Sequence, residues 1–112
     1  MIPIADFLEE EIRVVQEATH RRYGAPVEIE AVTSELRLYP EDRELTNCPG
    51  LYWEGRGASF LLSKIGDNHF RCLFFYRART QYGTGVPEYS DIKTCITHLL
   101  QVQADHEAKG GE

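Results

Sequence analysis

Residues able to do chemistry are scattered along this chain, and few are spaced for it. Cys95 and His98 stand one helical turn apart, with Cys48, His69, Cys72, His20 and His106 elsewhere. Zinc sites use paired close spacings such as C-x-x-C. A single C-x-x-H supplies half a site, so no metal or other cofactor is expected. Cys48, beside Pro49-Gly50, reads as a loop thiol that any of the four histidines could serve as base. A nucleophilic cysteine needs a lowered pKa and a positioned partner, and neither is visible. Gly83-Thr84-Gly85 is a fragment of a phosphate loop without the lysine or the buried strand that such loops require. No pair of carboxylates is singled out by an apolar setting. The chain is therefore read as non-catalytic.

The remaining chemistry is that of contact. From His69 onward the sequence alternates, and its odd positions are His69, Arg71, Leu73, Phe75, Arg77 and Arg79. Arginine interleaved with large apolar groups is the composition of a protein-binding surface. Arg71, Leu73, Phe75, Arg77 and Arg79 are the first candidate contact. The acidic loop carrying Glu41, Asp42 and Glu44, with the acidic face of the first helix, is the second.

Charge sets limits on the partner. Net charge is −6, unevenly spread: residues 1–54 hold 12 acidic and 5 basic groups, residues 55–112 hold 6 and 7. Overall acidity argues against general nucleic-acid binding. Stacking of single-stranded bases on Phe75, Tyr76 and Tyr82 beside the arginines is a weaker reading, because Tyr76 shares the core parity.

The elements that position these residues follow from periodicity. Ile4, Phe7, Leu8, Ile12, Val15, Thr19 and Tyr23 recur at helical spacing over residues 3–23. Pro3 suits the first turn, Glu9 to Glu11 the positive end of the dipole, and Gly24 the stop. Residues 27–39 alternate as a strand whose apolar parity changes between Ala31 and Leu36, which predicts a bulge near Thr33-Ser34 or two short strands. Residues 40–50 read as a polar loop, and a strand then begins at Leu51. Its glycines, Gly55 and Gly57, mark a bulge or a close backbone approach. A β-hairpin over 57–80 turns at Gly66-Asp67-Asn68. Residues 80–88 read as loop. A second helix spans 90–106, capped by Ser90, with Ile92, Cys95, Ile96, Leu99 and Val102 or Gln103 as its stripe.

The fold expected is α+β: a three- to four-stranded antiparallel sheet flanked by an N-terminal and a C-terminal helix, in α-β-β-β-α order. Residues 1–108 form one domain and 109–112 a disordered tail. Double-stranded RNA-binding domains share that order, but their last helix opens on a lysine cluster. Here it opens on Ser90-Asp91-Ile92-Lys93-Thr94, which argues against phosphate binding. The longest apolar run, Leu73 to Tyr76, is too short to span a membrane. The first residues lack the basic region of a secretory signal. Three widely spaced cysteines do not form a disulfide framework, so a cytoplasmic setting is expected.

The function expected is a regulatory module that binds another protein, or a second copy of itself as a homodimer. Two alternatives are an acidic inhibitor seated in the basic nucleic-acid groove of an enzyme, and a small-ligand or catalytic domain with Trp53, Tyr52, Tyr82 and His69 around a pocket. Whether the odd face of the hairpin binds anything depends on whether a helix covers it.

Overall fold

The computed structural model describes residues 4–76 and 81–110. Its elements are α1 (Glu9–Tyr23), β1 (Glu30–Leu36), β2 (Thr46–Gly55), β3 (Ala58–Gly66), β4 (His69–Phe75), β5 (Gln81–Tyr82) and α2 (Ile92–Ala108). The five strands form one sheet in the order β1-β2-β3-β4-β5, with every neighbouring pair antiparallel. The fold is thus the α+β class expected, with five strands instead of three or four.

Left-handed turn residues make the meander. Arg56 (φ 57°) and Gly57 (φ 78°) form a two-residue turn between β2 and β3, the conformation that suits the twist of a hairpin. These residues therefore close a hairpin, where the sequence suggested a bulge or a close backbone approach. The left-handed angle costs Arg56 about 1–2 kcal/mol as a residue with a Cβ, and Glu107 of α2, which accepts its Nη2–H at 2.6 Å, helps hold it there. Asn68 (φ 54°) supplies the left-handed residue between β3 and β4.

Both helices pack on the same sheet face. Leu51 and Trp53 of β2, Phe60 and Leu62 of β3, and Phe70 and Phe74 of β4 form one apolar layer. Val15 and Ala18 of α1 and Ile92, Cys95, Ile96, Leu99 and Leu100 of α2 complete it. Trp53 stacks on Phe60 with ring centroids 5.3 Å apart. The even positions Phe70, Cys72, Phe74 and Tyr76 meet the helices as expected; Ala78 lies outside the described residues.

Several boundaries differ from the sequence reading, each for a physical reason. α1 starts at Glu9, not near residue 3, and residue Pro3 lies outside the described residues. Residues 4–8 are neither helix nor strand, and Leu8 is extended, so Phe7 is buried against Phe70 (6.3 Å) while Leu8 is 51% exposed. The start is fixed by Glu11, whose Oε1 accepts the Leu8 N–H at 2.7 Å. That carboxylate is buried rather than part of an acidic helix face. It receives Lys64 Nζ–H at 2.9 Å, and Lys64 also donates to the Asp6 carbonyl at 3.1 Å.

β1 pairs with β2 in unbroken register from Glu30↔Tyr52 to Leu36↔Thr46, with no bulge. The parity change is a change of face: Val27 and Ile29 join the helix-side core, while Val32, Ser34 and Leu36 are half-buried on the other side. β2 begins at Thr46, five residues before the expected Leu51, and includes Pro49. Pro49 sits opposite Thr33 of β1 and one residue outside the β2–β3 ladder, which begins at Gly50, so its missing N–H costs no bond to β3. α2 is capped by Asp91, not Ser90: Asp91 Oδ2 accepts the Thr94 N–H at 2.9 Å and the Thr94 hydroxyl at 2.8 Å. No helix of the described residues is long and apolar enough to cross a membrane.

Candidate partner-binding surface

The sheet face opposite the helices is built in rows set by strand register. One row runs Glu30, Tyr52, Leu61, Leu73 from β1 to β4. The next runs Val32, Gly50, Ser63, Arg71. A third, toward the β2–β3 turn, runs Glu54, Ser59, Phe75. No helix covers these rows among the described residues, because the stripes of α1 and α2 are both spent on the opposite layer.

The Gly50 row is drawn together. A Cβ at Gly50 would stand 3.0 Å from Val32 Cγ2 and 3.1 Å from Leu61 Cδ1. Ser34 of β1 and Ser63 of β3 reach each other across β2, with hydroxyl oxygens 3.0 Å apart. A missing side chain in the middle strand lets its neighbours close over it, and the face curls. Arg71 completes the closure. Its Nη1 and Nη2 donate to the carbonyls of Arg37 and Leu38, each at 2.9 Å, and Nη2 also meets Glu88 Oε1 at 3.3 Å. The segment after β1 is thereby tied across to β4, although two strands separate them in the sheet.

Arg71 is therefore on the predicted face but has its guanidinium engaged within the molecule. Leu73 and Phe75 lie on the same face, half-buried. Arg77 and Arg79 lie outside the described residues. Glu41 and Glu44 are exposed on the segment that Arg71 tethers. Asp42 holds that segment's turn: its Oδ2 accepts the Tyr39 N–H at 3.2 Å, and its own N–H donates to the Tyr39 carbonyl at 3.0 Å. The two candidate contacts thus meet at one end of one face. The sequence reading passed over Tyr52 and Val32 as members of it. Their signal lay in strand pairing, which places Tyr52 beside Leu61 and Val32 across Gly50.

The four residues of the pocket alternative are not gathered. Tyr52 and Trp53 point to opposite faces, and Trp53 is 1% exposed in the core. Tyr82 stacks near His106 (4.5 Å), and His69 is exposed at the β3–β4 turn with Glu88 3.9 Å away.

The cysteines and histidines are also placed apart from one another's chemistry. Cys48 lies within β2, not in a loop, and burial pushes its thiol up against a smaller opposing influence from Arg71. Cys95 is fully buried, and contact with the Cys72 thiol, then burial, push it up. Both thiols are thus held in the protonated, weakly nucleophilic form. His98 Nδ1 pairs with the Tyr89 hydroxyl (2.5 Å) and His106 Nδ1 with the Tyr76 hydroxyl (3.1 Å). Thr84 of the glycine loop accepts from the Val86 N–H and from Tyr89, so its hydroxyl is used locally. Among the described residues, no three His, Cys, Asp or Glu side chains come together as a metal-binding group.

Comparison with protein-family models, with curated proteins and with solved structures finds no match.

Proposed function

We propose that this protein is a small regulatory module that binds another protein through the open sheet face, centred on Tyr52, Leu61, Leu73 and Phe75. The observation that carries the reading is the packing of both helices on one side. It leaves large apolar groups of β2, β3 and β4 on the other side with no helix above them among the described residues. Apolar surface of that kind is favoured in contacts. A cleft lined by Glu54, Ser59, Phe75 and Tyr76 opens at the β2–β3 end of the face, a place for an anchoring side chain. Arg71 shapes the face instead of gripping the partner, and Glu41 and Glu44 supply an acidic rim. The three free thiols suit a reducing, cytoplasmic setting.

The test compares wild type with Phe75→Glu, immobilised and exposed to extract of the source cell. The expected result is a protein held by wild type and lost with the variant, while the melting temperatures agree within a few degrees. Sedimentation velocity distinguishes a second copy as that partner. Equal retention by both chains would remove the open face from consideration.

A further inference from the structure

We infer that the free edge of β1 is a docking strand for an extended, basic segment of a partner protein. This stands apart from the open-face reading, because it uses backbone groups at the rim of the sheet.

The two edges of the sheet are unlike. On the β5 side, β4 is covered at both ends: Phe74 and Phe75 pair with Tyr82 and Gln81, and Phe70 exchanges two backbone hydrogen bonds with Tyr89, each 2.9 Å. On the other side, β1 offers seven residues in continuous register. Among the described residues, no backbone hydrogen bond beyond the β1–β2 ladder reaches residues 30–36. Proteins usually blunt such an edge with a proline, a bulge, a very short strand, a covering element or charged side chains; β1 carries only the last, Glu30 and Glu35, whose single sign repels an acidic strand and leaves a basic one free to pair. β1 has no proline and no bulge. Ala31, Thr33 and Glu35, on its helix side, are all exposed, so neither helix overhangs it.

Charge selects the occupant. No lysine or arginine occurs between Arg22 and Arg37, while Glu28, Glu30 and Glu35 lie along this stretch. Glu54 of β2 joins Glu28 and Glu30 around a cleft at the head of the edge, with Tyr52 and Trp53 in its walls. Tyr52 donates its hydroxyl hydrogen to Glu54 at 2.7 Å. Three carboxylates with an aromatic ring suit a lysine or arginine side chain. A second copy of this chain would bring the same acidic strand against itself, which like-charge repulsion opposes.

Alternation then specifies the segment. Glu30, Val32 and Leu36 share one face of β1 and Glu35 the other, and Glu28 stands two residues before the strand. An antiparallel strand needs basic residues opposite Glu28, Glu30 and Glu35 and apolar ones opposite Val32 and Leu36. The peptide Val-Lys-Ser-Thr-Val-Thr-Lys-Thr-Lys meets that pattern. Main-chain bonds would hold it and the side chains would set its register.

Titration of isotope-labelled protein with this peptide, followed by amide NMR, is the test. The expected result is saturable shifts concentrated on residues 28–36, with slowed hydrogen exchange there. Affinity should fall by about tenfold or more in the Glu30→Lys/Glu54→Lys variant, and also at high salt. The Phe75→Glu variant should bind the peptide as wild type does, which keeps failure here separate from failure of the open-face reading. Absence of shifts at millimolar peptide would overturn the inference, as would equal binding of the same peptide with glutamate for lysine. Self-association that protects the β1 amides would assign the edge to a second copy and also overturn it.

Discussion

Lys64 and Glu11 form the most buried ion pair among the described residues. Their side chains are 3% and 7% exposed, and the pair joins β3 to the start of α1. A buried pair is weak evidence for stability as a whole, but removing one partner strands the other charge. Lys64→Met should therefore cost about 3–5 kcal/mol in urea unfolding. Adding Glu11→Gln, which still accepts the Leu8 N–H, should recover most of that loss. A Lys64→Met chain as stable as wild type would show that Glu11 finds water. Neither role was legible in the sequence. Glu11 sits in a run of three glutamates and reads as one more solvated charge; Lys64 alternates with core residues but carries a charge. Only the long-range meeting of the two explains why α1 begins where it does and why Leu8 turns outward.

Gly50 acts at the scale of the sheet. It stands in the middle strand where Val32 and Leu61 close above it, and its backbone needs no left-handed angle. The constraint is steric. Gly50→Val should force the β1 and β3 side chains apart and cost about 1–3 kcal/mol, as overpacking does. Gly50→Ala should cost less, and denaturant midpoints of the two variants check the order. The sequence reading gave this glycine to a loop because Pro49-Gly50 is a strong turn signal. Pairing with β1 overrode that signal, as sheet contacts commonly override local preference. α2, with both a clear period and a clear stop, was legible to within two residues, and so was the β3–β4 turn; the hairpin's far end was not, since β4 ends at Phe75 and residues 77–80 lie outside the described residues. β5 was not, because two residues carry no period of their own. The surface residues Leu73 and Phe75 were legible from alternation alone. That the face would be uncovered was not, since it depends on which side each helix chooses.

At the scale of the whole molecule, one carboxylate fastens three elements. Glu107 of α2 accepts from Arg56 in the β2–β3 turn at 2.6 Å and from Arg22 of α1 at 3.3 Å. The Arg56 guanidinium beside it holds the Glu107 carboxyl below its ordinary value of 4.5. A depressed carboxyl stabilises the folded state above the unfolded value, and that contribution disappears as pH falls through the folded one. The melting temperature of Glu107→Gln should thus lie below wild type at neutral pH, and the gap should close as the solution is acidified below 4.5. A gap independent of pH would mean that the charge is not what matters. The Arg22 contact belongs to a wider arrangement, in which α1 packs along α2 as well as over the sheet. That arrangement has a consequence for synthesis. α1 is made before the sheet, and its partner helix α2 only after it. Val15 and Ala18 must wait through the making of the entire sheet before their layer is complete. During that interval the nascent chain carries an unmatched apolar stripe, the kind of surface that chaperones hold. α1 is thus synthesised before every element it packs on.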